Sequence, residues 1–341
     1  KLLKFILIMV IEVVRIFKVE DLEFDLDSNL DIALTIGNFD GLHVGHKELI
    51  FRLIDVAKEK DLVPCVMTFE PHPAEILAGI KENFYISSLE EKISNLEKIG
   101  VKRIYLFNFN LDFARVSAEE FLIKYLRKLS LKYLLVGEGF LFGSGRQGNI
   151  ERLKIFAVEN GFIADEYKTI KNKLIYNVND INNDESADKK ISSRILRDEL
   201  KKGNLEEFKL LKGENYKFFG EVIHGDGRGK KIGFPTINVN YDKKKILPRL
   251  GVYGVKVLIE DKIYFGIMNV GLRPSFSLEK KHSVEVNVFD LNEDIYGKIV
   301  EIELVFFVRD EIKFDSVDFL VEQINKDINF VKRKFDIDLM S

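Results

Sequence analysis

The chain has one cysteine, five histidines, a net charge close to zero and no apolar run long enough to span a bilayer. The lone Cys65 cannot form an internal disulfide, which excludes a disulfide-stapled secreted scaffold and makes a reducing cytoplasm the simplest expectation. Its neighbours Val63, Pro64, Val66 and Met67 mark it as a buried, inert thiol. A membrane helix needs about 20 apolar residues, so no membrane association is expected. Lys and Arg number 52 against 55 Asp and Glu, a formal net charge of −3, which gives no general pull toward nucleic acid. Lys1 to Val10 begins like an export signal, but no small-residue cleavage site follows and Glu12 and Arg15 interrupt it. An extension or a first strand is expected there, with Met9 as an alternative start.

What is present has the balance of a globular protein, 46% hydrophobic and 31% charged, and 341 residues suit two domains. From Asp31 to about Tyr167, short apolar runs alternate with amphipathic stretches. Strands are predicted over Ile32–Ile36, Leu62–Phe69, Arg103–Phe107 and Tyr133–Val136, and helices from Val44 to Lys60 and around Leu89–Ile99. Ser117 and Glu120 form a capping-box signature before another helix. Such alternation predicts an α/β, doubly wound parallel sheet that binds ligands at the carboxyl ends of its strands. Residues 171–190 are rich in Asn and Asp and read as an exposed loop, followed by a helix from about Ser193 to Lys202. Beyond about Glu206 the helical period gives way to six predicted strands: Phe218–His224, Ile232–Val239, Gly251–Glu260, Lys262–Val270, Ser283–Asp290 and Ile299–Val308. An antiparallel barrel with a C-terminal helix is expected, with the domains divided as 9–205 and 206–341.

The stretch Gly37-Asn38-Phe39-Asp40-Gly41-Leu42-His43-Val44-Gly45-His46 occupies the turn from the first strand into the first helix. Its glycines let the backbone approach a ligand, and the helix N-terminus offers amides to phosphate. His43 and His46, three apart, share one side of the first turn and can donate hydrogen bonds to charge developing on an α-phosphate. The bland alternative for either histidine is a core or capping residue. A zinc site lacks a second His or Cys pair at ligand spacing.

In the second half, Gly225, Gly227, Gly229 and Gly233 can wrap backbone amides around phosphate, although many glycine-rich turns are plain surface hairpins. Thr236 and Asn238 share a face of an extended strand, and a hydroxyl with an amide oxygen suits Mg²⁺. Glu285 alternates with Val284 and Val286; it is either solvated or, on a face lining a barrel mouth, able to accept a proton from an attacking alcohol.

These segments carry a resemblance. GNFDGLHVGH is similar to the HxGH signature of nucleotidyltransferases in the form seen in prokaryotic FAD synthetases. Thr68 to Pro73 (TFEPHP), Val136 to Gly143 (VGEGFLFG) and Ile191 to Arg197 (ISSRILR) follow in that family's order. Two positions depart from it: Gly139 stands where the family carries an acid, and Arg194 where it carries Thr. GDGRGKKIGFPTIN, then Gly251-Val252-Tyr253, Asn269 to Phe276 and Val284-Glu285-Val286, resembles the riboflavin kinases. The order matches the bifunctional riboflavin kinase/FAD synthetase family.

The resemblance implies phosphorylation of riboflavin to FMN, then AMP transfer from ATP to FMN, giving FAD and pyrophosphate. It implies ATP and Mg²⁺ as cofactors, and riboflavin, FMN and ATP as the small-molecule partners. It also implies nucleotide contacts at Gly37, Asn38, Phe39, Asp40, Gly45, Ser192 and Ser193, with Arg197 on the ATP phosphates. In the kinase half it implies contacts at Gly225, Gly229, Gly233, Phe234 and Pro235, Mg-ATP on Thr236 and Asn238, Glu285 as general base, and Arg309 near the flavin. A kinase with a weakened adenylyltransferase, and a flavin-binding regulator with dead sites, remain open at this point.

Overall fold

The computed structural model describes residues 15–18, 30–168, 191–225, 227–273 and 281–339. The expected N-terminal extension, the 171–190 loop and Pro274 to Phe276 lie outside that set. Two compact units emerge from the packing: residues 1–81 with 85–193, and residues 82–84 with 194–341.

The first unit is a six-stranded parallel sheet in the order β1-β4-β3-β2-β5-β6. Its strands are β1 (Arg15–Lys18), β2 (Ile32–Ile36), β3 (Val63–Glu70), β4 (Arg103–Asn108), β5 (Leu131–Gly137) and β6 (Ile163–Tyr167). The helices are α1 (Val44–Glu59), α2 (Pro73–Ala78), α3 (Leu89–Ile99), α4 (Leu111–Ala114), α5 (Ala118–Lys124) and α6 (Ile150–Asn160). Every residue of β2 is buried. Ile32, Leu34 and Ile36 pack into one core, while Ala33 joins Leu49, Ile50 and Leu53 of α1 in another. That is the signature of a parallel sheet covered on both faces. Cys65 is buried, as expected. The capping box holds: Ser117 Oγ accepts from the Glu120 amide at 3.2 Å, and Glu120 Oε2 accepts from the Ser117 amide at 2.9 Å. Sequence order reverses between β2 and β5, which fixes where the sheet can take a ligand.

The second unit contains α7 (Ser193–Lys202) from Arg194 onward, α8 (Leu205–Lys212) and a closed barrel in the order β10-β11-β8-β7-β12-β9. Its strands are β7 (Lys217–Ile223), β8 (Ile237–Tyr241), β9 (Gly251–Ile259), β10 (Lys262–Arg273), β11 (Lys281–Val288) and β12 (Ile299–Arg309). A helical turn, α9 (Arg228–Lys231), precedes β8, and α10 (Val317–Leu339) ends the described chain. The predicted strand from Ile232 is therefore corrected. Gly233 has φ +91°, and the Ile232 and Phe234 amides both donate to Gly229 O, so the chain curls before β8 begins at Ile237. Val255, Val257, Met268, Val270, Val284 and Val286 are buried, and side chains fill the barrel interior.

Candidate active sites

In the first unit the motif turn is held at both ends. Gly37 N donates to Met67 O at 3.0 Å, and Thr68 Oγ1 donates to Asn38 O at 3.1 Å. His43 is the N-cap of α1: its Nδ1 accepts from the His46 amide at 3.2 Å. That bond puts the neutral ring's proton on Nε2, so His43 is a capping residue whose other nitrogen is still a donor. The His43 and His46 rings stack with centroids 3.6 Å apart, and the edge of Phe39 meets His46 at 5.1 Å. The stack fixes both imidazoles in one orientation.

Asp40 was expected to contact nucleotide. The residue is only 2% exposed, and its carboxylate accepts from the amides of Ile86 and Ser87 at 3.0 to 3.2 Å. The residue shapes the turn from below. Its carbonyl accepts from Ser193 Oγ at 2.7 Å, which brings the start of the ISSR segment to the GNFD turn. Arg197 packs in the second unit with Phe84: Nε donates to Phe84 O at 2.8 Å, and the guanidinium lies 3.9 Å from that ring's centroid. Arg194, at the departed position, is 89% exposed and lies 4.0 Å from Asp198.

Lys92 is a functional candidate that motif reading missed. It is 3% exposed, donates from Nζ to Phe69 O at 3.1 Å and lies 3.7 Å from Glu70 Oε2. Burial pushes its ammonium below the ordinary lysine value. Tyr85 ties the next residues of the same turn, donating to Glu75 and accepting from the His72 amide at 2.7 Å. A lysine on the apolar stripe of Leu89, Ile93 and Leu96 was the available signal.

In the barrel, register does the assembling. Glu285 of β11 lies opposite Asn238 of β8 and Asn269 of β10, and Asn269 lies opposite Val252, which faces Arg309 of β12. Directly opposed residues share a face. Val252 packs with Val331 and Phe335 of α10, so this row is on the outer wall. Val284 and Val286, its neighbours on β11, are buried in the barrel, and the half-buried Glu285 lies on the other face of the strand, in register with Asn238 and Asn269. Asn287, two residues on, donates to Pro235 O at 2.7 Å and holds the Phe234-Pro235-Thr236 segment beside that row.

Two glycines make close approaches, one to the row itself and one to the Phe234–Thr236 segment beside it. A Cβ on Gly225 would lie 1.9 Å from Asn238 Nδ2, and one on Gly229 would lie 2.3 Å from Phe234 O and 3.3 Å from Thr236 Oγ1. Gly225→Ala will displace the Asn238 amide and reduce FMN formation about tenfold or more, read as initial rates with riboflavin and ATP. Adenylylation of supplied FMN will be unchanged.

Arg309 is not aimed at open space. Its Nε and Nη2 grip Asp327 of α10 at 2.7 to 3.1 Å, Nη1 donates to Asp310 O, and Gln323 supports Asp327 from the same helix. The Asp327 side chain is 5% exposed, so Asp327→Ala leaves a guanidinium charge with its main partner removed. A loss of about 3 kcal/mol in the barrel's urea unfolding is expected.

Against this geometry the comparisons with known proteins agree in order and extent. The FAD synthetase family model matches residues 26–193 and the riboflavin kinase model residues 212–335. The bifunctional riboflavin kinase/FMN adenylyltransferase of Bacillus subtilis is 36% identical over 298 residues, covering 86% of this chain and 90% of that one. The Escherichia coli protein of the same name is 35% identical with the same coverage. A crystal structure described as a macrolide-efflux protein from Streptococcus pneumoniae matches with a TM-score of 0.79 at 31% identity, over 93% of this chain and 98% of that one. No helix among the described residues is long and apolar enough to cross a membrane.

A parallel nucleotide-binding sheet joined to a closed six-stranded barrel defines a two-domain, ATP-using transferase. The chain belongs to the bifunctional riboflavin kinase/FMN adenylyltransferase family.

Proposed function

We propose that the two activities divide between the two halves, with kinase chemistry on the barrel's outer row and adenylyl transfer at the histidine turn. The chain phosphorylates riboflavin to FMN and adenylylates FMN to FAD, using ATP in both steps. The functional boundary is put between 205 and 206; the family matches end at 193 and resume at 212, on either side of it.

In the kinase step, Glu285 accepts the proton of the ribityl 5′-hydroxyl as that oxygen attacks the γ-phosphate, the bond to the bridging oxygen breaks and ADP leaves. Thr236, Asn238 and the close-approaching glycines hold the triphosphate, so positioning supplies most of the rate. The donor set fits Mg²⁺: a hydroxyl and an amide stand beside a glycine cradle that a Cβ would fill. Among the described residues no cluster of three His, Cys, Asp or Glu side chains forms a closed metal cage, as suits an ion that takes its remaining ligands from phosphate and water. Bound there, Mg²⁺ would neutralise charge on the phosphates. Arg309 fixes α10 beside the row, near the proposed flavin position.

In the adenylyl step, the FMN phosphate attacks the α-phosphate and pyrophosphate leaves. His43 Nε2 and His46 donate to the charge that develops, and Gly37, Asn38, Phe39 and Gly45 let the phosphates approach the start of α1. Ser192, Ser193 and Arg197 are assigned to the same nucleotide on the resemblance of their segment, and Asp40 acts from beneath by holding the turn.

The observation that carries the reading is that one chain holds both the stacked His43/His46 pair and the Asn238–Glu285–Asn269 row. A time course with riboflavin, ATP and Mg²⁺, separated by chromatography, tests it. FMN first and FAD second is the expected order; FMN alone would return the kinase-only reading. A cytoplasmic site of action belongs to the same proposal, supported by the single cysteine and the ATP requirement of both steps.

A further inference from the structure

The turn after β5 reads Gly137-Glu138-Gly139-Phe140, with glycine at the position where the similar motif carries an acid. The structure brings a carboxylate there from a different strand. Glu166, near the end of β6, accepts from the Gly139 amide through Oε1 at 2.9 Å. The next residue fastens the same turn, since Glu138 N donates to Tyr167 O at 3.0 Å.

We propose that Glu166 is the substrate-binding carboxylate of the adenylyl site in this chain, receiving a hydroxyl or ring N–H of ATP or FMN at the place the Gly139 side chain leaves open. This rests on the adenylyl-transfer reading of the first half. Three observations carry it. First, Gly139 has φ +71° and, among the described residues beyond its two chain neighbours, no atom lies within 4 Å of the position its Cβ would take, so these residues leave space beside the turn. Second, Glu166 is half-buried and its partner among the described residues is one backbone amide, which leaves the second oxygen for a ligand.

Third, the location fits a nucleotide-sized ligand. β5 adjoins β2 where sequence order reverses, and β6 adjoins β5. Strand spacing is about 5 Å, so the Glu166 turn stands about 10 Å across the sheet from the histidine turn, roughly the length of a nucleoside. Helix α1, which contains His46 and is capped by His43, borders both places. Its Leu49 Cδ2 lies 3.9 Å from the Cβ position of Gly137, and the charge of its Glu48 acts on Tyr167. A carboxylate at this distance would repel phosphate, so its complement is an uncharged donor at the far end of the ligand.

The test is FAD formation from supplied FMN, with riboflavin phosphorylation in the same preparation as the control. Glu166→Ala will raise the KM for ATP or for FMN about 10- to 100-fold, as expected for a hydrogen bond to a charged group, and leave FMN formation intact. A rise for ATP assigns the donor to the nucleotide, and a rise for FMN assigns it to the flavin. Adding Gly139→Asp to Glu166→Ala will restore the lost affinity, because Asp tolerates a left-handed backbone and the described residues leave room for it. Unchanged KM values in a folded Glu166→Ala variant overturn the proposal. So does a loss of FAD formation that Gly139→Asp fails to recover, since Glu166 would then only fasten the turn. If the unaltered enzyme makes no FAD, or His46→Ala leaves FAD formation untouched, the adenylyl reading itself fails rather than this refinement of it.

Discussion

Glu285→Gln will lower FMN formation by about 10²- to 10⁴-fold while conversion of supplied FMN to FAD proceeds at the rate of the unaltered enzyme. Glutamine keeps the volume and the outward direction of the side chain, and it can still meet Asn238 and Asn269 on the neighbouring strands. What it loses is the role proposed for the carboxylate, taking a proton from the attacking hydroxyl. A fall in kcat with little change in the riboflavin KM is therefore the signature, because an isosteric amide preserves binding and removes only the interaction of the transition state. Equal loss of both steps in a folded variant would show that the two chemistries do not divide as proposed.

His46→Ala and His43→Asn will each slow FAD formation from FMN by about 10²- to 10³-fold, the usual cost of one donor removed from a developing anion. The His43 substitution must be chosen with care. Its Nδ1 caps α1, so alanine would remove a cap as well as the proposed catalytic donor, and the two effects would mix. Asparagine retains an oxygen acceptor suited to the N-cap position and lacks the distant Nε2 donor. Stability of the first unit should then change little while adenylyl transfer falls. Kinase activity reads out the health of the protein in the same tube. If His43→Asn kept full FAD synthesis, the imidazole would be a cap and nothing more.

Much of the framework was legible because local rules and the fold agree. β2 and α1 follow their periodicities, and the Ser117–Glu120 box states its own geometry within three residues. The strand β6, sequence Ile-Ala-Asp-Glu-Tyr, escaped notice because three of its five residues are polar or amphipathic and it pairs on one side only. β8 was drawn too early because Gly233 turns the chain with a positive φ that hydrophobic pattern does not report. The site divides the same way. Residue types and spacing pointed to His43, His46, Thr236, Asn238 and Glu285. They could not show that Asp40 is occupied by amides 46 and 47 residues away, or that Arg309 is gripped by an aspartate 18 residues on. Those partners are chosen by tertiary contact, and no local signal encodes them.

Along β11, the residues that hold the barrel together and those assigned to its chemistry alternate one by one: Val284 and Val286 inside, Glu285 and Asn287 outside. Substitutions can therefore alter catalysis and keep the core, or loosen the core and keep the carboxylate. A deletion or insertion of a single residue within the strand has no such freedom. It would exchange the two faces beyond that point, burying a charge in the packed interior and presenting valine to the substrate. Length changes in this half of the chain are therefore tolerated in the connections between strands, and the strand itself accommodates replacement alone.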